Sequence, residues 1–402
     1  MCNFVLSFDI CPKEMTDQEF NDIAPFDDGA DFHGHIARLV AEPQFEHAVK
    51  WVMPDVDYKA FSQNLLQCHS QEDFQMRVML PFLGRLEAAT TAGITFDGID
   101  NYEPGKSYVL ISNHRDIVLD ASFLNLSLVR GGRPTCEVAI GNNLLIMPWI
   151  NELVRINKSF IVVRNTGIRG ALEAARHLSS YIHFAITRKG QSLWIAHREG
   201  RAKDSNDRTQ ESLIKMLTLG GQGSPLDNIR EVNLLPVSIS YEFDPNDYLK
   251  AREFLCKRRD PDFKKSPHDD LLSMETGIMQ QKGRVHFSLT ECINPELDML
   301  GGTQLSRSEV CGRVCEIVDR HIHCNYRLYP INYVAHDLLA GAQRFADMYS
   351  PADVDAVNER IARQLAKVDL PAITSEEMNF MRQMMLTMYA NPLRNKLKCE
   401  LH

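Results

Sequence analysis

The sequence predicts an α/β fold, with a mostly parallel central sheet, helices on both of its faces and further helical segments at both ends. From residue 94 onward, short apolar runs alternate with amphipathic stretches, which is the pattern of strands joined by crossover helices. Before and after this part, apolar residues recur at the three-to-four spacing typical of helices. We therefore expect a helical N-terminal region over 1–93, an α/β domain over 94–300 and a helical C-terminal region over 301–402.

The apolar runs of the central region have the length of buried strands. They span 93–98, 108–111, 136–140, 160–163, 192–196, 232–239 and 284–289. The helices predicted between them span 120–128, 144–153, 167–187 and 209–219. Because ligands of open parallel sheets bind beyond the carboxyl ends of the strands, polar residues that directly follow these runs are candidates for a functional site.

Composition and charge narrow the class of protein. With 402 residues, 44% hydrophobic and 24% charged, the chain has the composition of a folded globular protein. The net charge of -9, without a lysine- and arginine-rich stripe, argues against a nucleic-acid partner. No apolar run approaches the roughly 20 residues that span a bilayer, and no basic, signal-like start is present. The ten scattered cysteines favour reduced thiols, and we expect a cytoplasmic protein.

A group of cysteines and histidines near residue 320 has two interpretations. It comprises Cys311, Cys315, His321, His323 and Cys324. Zinc takes such ligands, but the two cysteines four residues apart continue an apolar helical stripe. Core packing is therefore the favoured interpretation, and we expect no metal site.

The segment 253–270 is rich in charge and contains the basic groups 257–259 and 264–265. A turn or exposed insertion is the favoured interpretation. The alternative is contact with an anionic membrane surface, because anionic lipids attract clusters of lysine and arginine.

The most informative stretch is 112–120, SNHRDIVLD, which follows a predicted strand. It places His114 close to two carboxylates, Asp116 and Asp120. A histidine with a carboxylate partner can remove a proton from a hydroxyl group. Taken alone, the stretch is better explained by a loop histidine and an aspartate that caps a helix.

Three further segments of this kind follow along the chain. Arg164 comes directly after the strand at 160–163. The strand at 192–196 leads into the run 198–203, where Gly200 allows close approach of a ligand and the cations suit a phosphate group. A proline, Pro236, lies inside the strand at 232–239, where it is disfavoured except at an edge, end or bulge.

In this order, the four segments resemble the motifs of the glycerolipid acyltransferase superfamily, which includes glycerol-phosphate and lysophosphatidic-acid acyltransferases. The resemblance covers about residues 94–244 and departs from the family in three places. Leu119 stands where the family has its aspartate, one position before Asp120. The second motif carries one extra residue before Arg164 and lacks its glycine, and the third motif lacks its threonine.

The resemblance implies transfer of an acyl group from a thioester to a hydroxyl group, with His114 as the general base. Its carboxylate partner is Asp120, which we favour, or Asp116. The residues implied in substrate binding are Arg164, Glu199, Gly200, Arg201 and Lys203, with Arg198 as a further candidate.

The donor implied is acyl-CoA or acyl carrier protein, and no other cofactor is expected. The acceptor implied is glycerol 3-phosphate, a lysophospholipid or an amino-acid lipid with a free hydroxyl group. Peripheral contact with an anionic membrane, at its inner face, would supply the lipid.

Other functions remain open at this point. The same fold serves a non-catalytic lipid-binding or scaffold protein, and water in place of the acceptor would make the chain a thioester hydrolase. A cysteine nucleophile is disfavoured because Cys136 lies in a predicted core strand. The Gly-x-Ser-x-Gly elbow of serine hydrolases is absent from the sequence.

Overall fold

The computed structural model describes residues 16–29, 31–164, 167–301 and 305–401. The strands are β1 (Ile94–Asp97), β2 (Val109–Ser112), β3 (Glu137–Gly141), β4 (Ser159–Val162), β5 (Leu193–Ala196), β6 (Leu234–Tyr241) and β7 (Val285–Leu289). The helices of the first half are α1 (Phe32–Ala41), α2 (Pro43–Val52), α3 (Tyr58–Leu65), α4 (Gln71–Phe74), α5 (Leu80–Thr90), α6 (Leu119–Arg130), α7 (Pro148–Ile156) and α8 (Gly167–Phe184). Those of the second half are α9 (Glu211–Leu217), α10 (Pro225–Glu231), α11 (Asp247–Arg259), α12 (Pro267–Met279), α13 (Asn294–Leu300), α14 (Arg307–Cys324), α15 (Pro330–Ala340), α16 (Pro351–Leu365) and α17 (Ser375–Cys399).

The strands form one sheet in the order β1-β7-β6-β2-β5-β3-β4. All neighbouring strands are parallel except β6 and β7, which are antiparallel. The predicted fold class is therefore confirmed, and every predicted strand is present within two residues of its predicted bounds. Pro236 lies inside β6, opposite Ile111 of the neighbouring β2.

Helices cover both faces of the sheet, as the alternation in β2 illustrates. Val109 and Ile111 point into a core shared with α8, α9, α10 and α14. Leu110, between them in sequence, points to the opposite core, which α5 and α6 cover. Both faces are buried because successive side chains of a strand alternate in direction.

The two predicted helical regions are present, and each packs against helices of the central part. The N-terminal helices share a core with Trp149 and Ile156 of α7. The C-terminal helices α15, α16 and α17 share one with Ala251 and Leu255 of α11. The boundaries expected at residues 93 and 300 stay predictions.

The turn or insertion expected over 253–270 is present only at residues 260–266, because α11 continues to Arg259 and α12 begins at Pro267. Charged residues obscure the helical pattern of α11, although Leu255 is fully buried. The basic residues are paired within the molecule: Arg258 lies 2.5 Å from Glu376 and Arg259 lies 2.7 Å from Glu377. These contacts hold the end of α11 against the start of α17.

The expectation that all thiols are reduced is also wrong, because Cys324 and Cys399 form a disulfide. Their Cα atoms are 5.7 Å apart, at the ends of α14 and α17. The pair is 75 residues apart in sequence, and only the packing of the two helices brings it together.

The remaining members of the cysteine and histidine group do not converge on one point. Cys311 is buried in the core and Cys315 packs against it, as the favoured interpretation predicted. His321 bonds to Glu296 at 2.5 Å, and His323 donates to the carbonyl of Asp207 at 2.9 Å. In the described ranges, no three histidine, cysteine or acidic side chains are arranged to hold a metal ion.

Within the described part of the chain, no helix combines the length and the apolar character that crossing a bilayer requires.

Candidate active site

The loop after β2 is fixed to the sheet by Asn113. Its side-chain amide donates to the carbonyl of Ile239 at 2.9 Å and its oxygen accepts from the Ile239 amide at 2.8 Å. Asn113 thus bonds to β6 much as another strand would, and it is fully buried. The following residue, His114, therefore leaves the carboxyl edge of the sheet near its centre in a defined direction.

Asp120, in the first turn of α6, is the carboxylate that meets His114. Its Oδ2 lies 2.9 Å from the imidazole Nδ1 and also accepts from the amides of Arg115 at 2.6 Å and Asp116 at 3.0 Å. With Nδ1 bound to a carboxylate, the proton sits on Nδ1 and Nε2 is the acceptor. His114 is 13% exposed and lines a cleft, so Nε2 is available to a ligand there.

Asp116 faces away from the histidine. Its Oδ1 accepts from the amides of Val118 at 2.9 Å and Leu119 at 2.8 Å, which fixes the start of α6. Its Oδ2 points at Gly277 of α12, where any larger residue would collide with it. Burial and then the Asp120 charge raise the pKa of Asp116. The structure therefore brings Asp120, and not Asp116, to His114.

A buried lysine behind this loop was not anticipated from the sequence. Lys282 donates to the carbonyls of Ile278 at 3.1 Å and Gln280 at 2.7 Å. Burial lowers its pKa to about 8, and the Asp116 carboxylate opposes that shift. It lies far along the chain from the motif, on a segment that carries no pattern by which it could have been found.

His114 opens onto a cleft of about 630 Å³, which is within the usual range for small-molecule sites. Every residue predicted to bind substrate lies in its wall: Arg164, Glu199, Gly200, Arg201 and Lys203, together with Arg198.

Arg164 and Glu199 form a pair at one side of the cleft. Arg164 Nη1 lies 3.4 Å from Glu199 Oε1. The guanidinium packs over Gly141, where a side chain would press against it. Gly200 follows with a φ of 64°, in the left-handed region that favours glycine, so the turn after β5 requires this residue.

The cations of the third motif differ in how they are paired. Neither Arg198 nor Arg201 has an ion-pair partner among the residues that the structure describes. Arg201 is almost fully buried and donates to the Asn246 side chain at 3.0 Å when that amide is oriented to satisfy its neighbours. Lys203 pairs with Glu253 at 3.0 Å, and burial followed by the Arg201 charge lowers the pKa of Lys203 to about 8.

The cleft also has an apolar arm, which sequence analysis missed. One face of α8 and parts of β3, β4 and α9 form it. Its side chains include Ala171, Ala174, Ala175, Leu178, Ile182, Leu213 and Met216. Small residues at three-to-four spacing along 171–182 were the available signal, but the same spacing is typical of a helix packed in a core.

Cys136, the alternative nucleophile, does not reach the cleft. It is fully buried on the opposite side of the sheet, with the α5 and α6 core. Burial raises the pKa of its thiol to about 12. A thiol that holds its proton so firmly is a poor nucleophile.

Comparison with protein families agrees with the motifs. A family model described as Acyltransferase matches residues 93–221, which carry β1 to β5 and the loops with His114, Arg164 and Glu199. Among solved structures, the chain is similar to the 1-acyl-sn-glycerophosphate (LPA) acyltransferase PlsC from Thermotoga maritima. The identity is 13% and the TM-score 0.36, over 72% of this chain and 93% of that chain. Curated proteins gave no match. Residues 93–221 of this chain are a domain of the acyltransferase family.

Proposed function

We propose that the chain transfers a fatty acyl group from a thioester donor to a hydroxyl group of a glycerol-phosphate or lysolipid acceptor. One observation carries the proposal: the His114–Asp120 pair opens onto a cleft with a cationic end and an apolar arm. The cationic end suits an anionic head group, and the arm suits an acyl chain.

In the proposed reaction, Nε2 of His114 accepts the proton of the acceptor hydroxyl as its oxygen attacks the thioester carbonyl carbon. The tetrahedral intermediate collapses with cleavage of the carbon–sulfur bond. The leaving thiolate takes the proton back from the imidazolium. Asp120 holds the imidazole in the required tautomer and stabilises its positive charge, so no acyl-enzyme is needed.

An oxyanion forms on the former carbonyl oxygen and needs hydrogen-bond donors. The amides of residues 115, 116, 118 and 119 are already engaged by Asp120 and Asp116. Within this loop, the amides of His114 and Ile117 have no such acceptor among the described residues, and both residues line the cleft. We therefore assign the amides of His114 and Ile117 as the oxyanion donors.

The acceptor is placed by its charge. Arg198 and Arg201, which form no ion pair within the described residues, line the same cleft as the histidine. Guanidinium groups bind phosphate through two parallel hydrogen bonds, which fixes orientation as well as position. The pair of Arg164 and Glu199 borders the same space, and we assign it to the glycerol or lysolipid part of the acceptor.

Contact with lipid is proposed at an apolar rim formed by Ile146, Val163 and Leu172. These side chains are 40%, 39% and 49% exposed. Val163 itself lines the cleft, and Ile146 and Leu172 lie within two residues of Leu144 and Ala171, which line it. Exposed apolar side chains around a cleft mouth are typical of a surface that meets lipid. Arg164, next to Val163, supplies a cation for anionic head groups. A substrate would then pass from the lipid surface into the arm.

The proposal is tested with His114→Ala, assayed for consumption of acyl-CoA and, separately, of acyl carrier protein loaded with the same acyl chain. His35→Ala is the matched control, because His35 is also largely buried, at 16% exposure, and bonds through Nδ1 to a carboxylate, Glu152, at 2.6 Å. We expect loss of transfer by about a thousandfold or more in the first variant and none in the second. Turnover at the wild-type rate in His114→Ala would refute the mechanism.

The same assay separates the alternatives. Consumption of the thioester by the wild type without an acceptor indicates a hydrolase. If neither donor is consumed with any acceptor, the chain is a lipid-binding or scaffold protein on this fold.

A further inference from the structure

A small recess lies beside the cleft, between α11 and α12. It shares three cations with the cleft wall: Arg201, Lys203 and Lys265. Lys265 belongs to the segment between α11 and α12, outside the residues matched by the acyltransferase family. This part of the cleft is therefore supplied by a region to which no function is otherwise assigned.

Positive charge exceeds negative charge around the recess. Its lining contains five cations, Arg201, Lys203, Lys250, Arg252 and Lys265, against the two carboxylates of Glu253 and Asp269. Two further carboxylates lie outside the lining and pair with these cations, Asp244 with Lys250 and Asp270 with Lys265, so the five cations face four carboxylates in all.

The close approach of these cations affects the pKa of Lys203. Burial and then the Arg201 charge lower the pKa of Lys203 to about 8, although Glu253 lies 3.0 Å away. An anion placed between Lys203 and Arg201 would relieve this repulsion.

The two lysines at the border keep donors free for a ligand. Lys203 uses one contact for Glu253, and Lys265 uses one for Asp270 at 2.8 Å. An ammonium group has three donors, so each lysine retains two. Arg201 adds a planar guanidinium from the cleft floor.

We propose that Arg201, Lys203 and Lys265 bind a phosphate-class anion at the border between the cleft and the recess. The recess itself, at about 20 Å³, has room for about one water-sized group. The anion therefore lies in the cleft and directs one oxygen atom into the recess. The segment between α11 and α12 thus selects substrates that carry a phosphate at this position.

The identity of the phosphate rests on the proposed function. In acyl transfer from a thioester, it is either the head group of the acceptor or a phosphate of the donor's pantetheine arm. The chemistry recognised is the same in both cases, and binding measurements distinguish them.

The test is isothermal titration of the full-length chain with inorganic phosphate, glycerol 3-phosphate and coenzyme A. Lys265→Ala is compared with Lys264→Ala, which removes a neighbouring lysine that is exposed and does not line the cleft. We expect Lys265→Ala to weaken at least one ligand about tenfold, through loss of a charge-assisted hydrogen bond. Lys264→Ala should bind as the wild type does. Lys265→Arg should restore binding, and the Tm of each variant shows that it is folded.

The ligand that is weakened identifies the source of the phosphate. Selective weakening of glycerol 3-phosphate assigns the site to the acceptor, and selective weakening of coenzyme A assigns it to the donor. Weakening of inorganic phosphate, alone or with both, supports the site without distinguishing the source. Equal binding by wild type and Lys265→Ala for all three ligands, or an equal loss in Lys264→Ala, overturns the proposal. Because no turnover is measured, this outcome is independent of whether acyl transfer is found.

Discussion

The two ends of the cleft are built in different ways. The polar end is formed by loops at the carboxyl edge of the sheet, which carry His114, Arg198 and Arg201. The His114 imidazole is held there by its hydrogen bond to Asp120. The apolar arm is formed by one face of α8, whose small side chains leave space beside the strands. Loops that follow strands bring several functional groups to one place. A helix face, in contrast, limits the length of the acyl chain that fits beside it. Changes at the polar end should therefore alter turnover or affinity, and changes in the arm should alter the preferred acyl chain.

The largest effect that would test this contrast comes from the two aspartates of the polar end. Asp120→Asn removes the charge that faces His114, and we expect kcat to fall by on the order of ten-thousandfold, as for loss of a triad carboxylate. Asp116→Asn keeps an oxygen for the amides of Val118 and Leu119, so we expect less than about a tenfold fall. The measurement is steady-state kinetics of both variants with one donor and acceptor. Equal losses of kcat would show that closeness to His114 does not decide which aspartate supports catalysis.

This pair of aspartates also shows what sequence can and cannot predict. The motif brought both to attention, because a histidine and two carboxylates after a buried strand form a recognisable pattern. The choice between Asp120 and Asp116 depends on the turn of the intervening loop. In that turn, Asp116 bonds to two amides and so faces away from the imidazole. From the sequence alone, the shift of the aspartate by one position does not show which way its side chain points. The geometry of the turn is needed for that.

In the rest of the fold, too, some elements could be predicted from the sequence and others could not. All strands of the sheet were predicted, because the strands are mostly buried apolar runs, except the edge strand β1, whose residues alternate between partly buried and exposed. Helix α11 was mistaken for a turn, because its charged residues find partners elsewhere in the chain, such as Glu376 and Glu377. Lys282 was not singled out from the sequence, and Lys265 was considered only as part of a basic group, because their positions near the site depend on packing between distant segments.

A smaller effect is expected from the cations of the polar end. Arg201→Gln removes a charged partner for the acceptor, and a hydrogen bond to a charged group contributes about 1.5–3 kcal/mol. We therefore expect the KM for the acceptor to rise roughly 10- to 100-fold, with a smaller change in kcat. Arg313→Gln, on the exposed surface of α14, is the control and should be neutral. A fall in kcat alone, with KM unchanged, would place Arg201 outside the acceptor site.

Substitutions in the apolar arm should change the preferred length of the acyl chain rather than the rate of transfer. Ala174→Leu fills part of the arm, and each methylene excluded costs about 0.8 kcal/mol of apolar burial. With two methylenes excluded, the ratio of kcat/KM for a short donor to that for a long donor should rise roughly tenfold. Ala356→Leu, on the exposed face of α16, serves as the control. An equal loss with all chain lengths would mean that the arm does not receive the acyl group.

The smallest effect concerns the surface through which the protein contacts lipid. The two candidates compared are the apolar rim and the basic end of α11. Leu172→Asp should weaken binding to vesicles of phosphatidylcholine and phosphatidylglycerol about fivefold, through loss of roughly 1 kcal/mol of partial apolar burial. Met299→Asp, at a site that is 75% exposed and does not line the cleft, should leave binding unchanged. Arg258→Gln should also be neutral, because that arginine is already paired with Glu376. Weaker binding by Arg258→Gln, with Leu172→Asp unaffected, would move the lipid contact from the rim to α11, because a cation whose loss reduces binding must be available to lipid in spite of its partner.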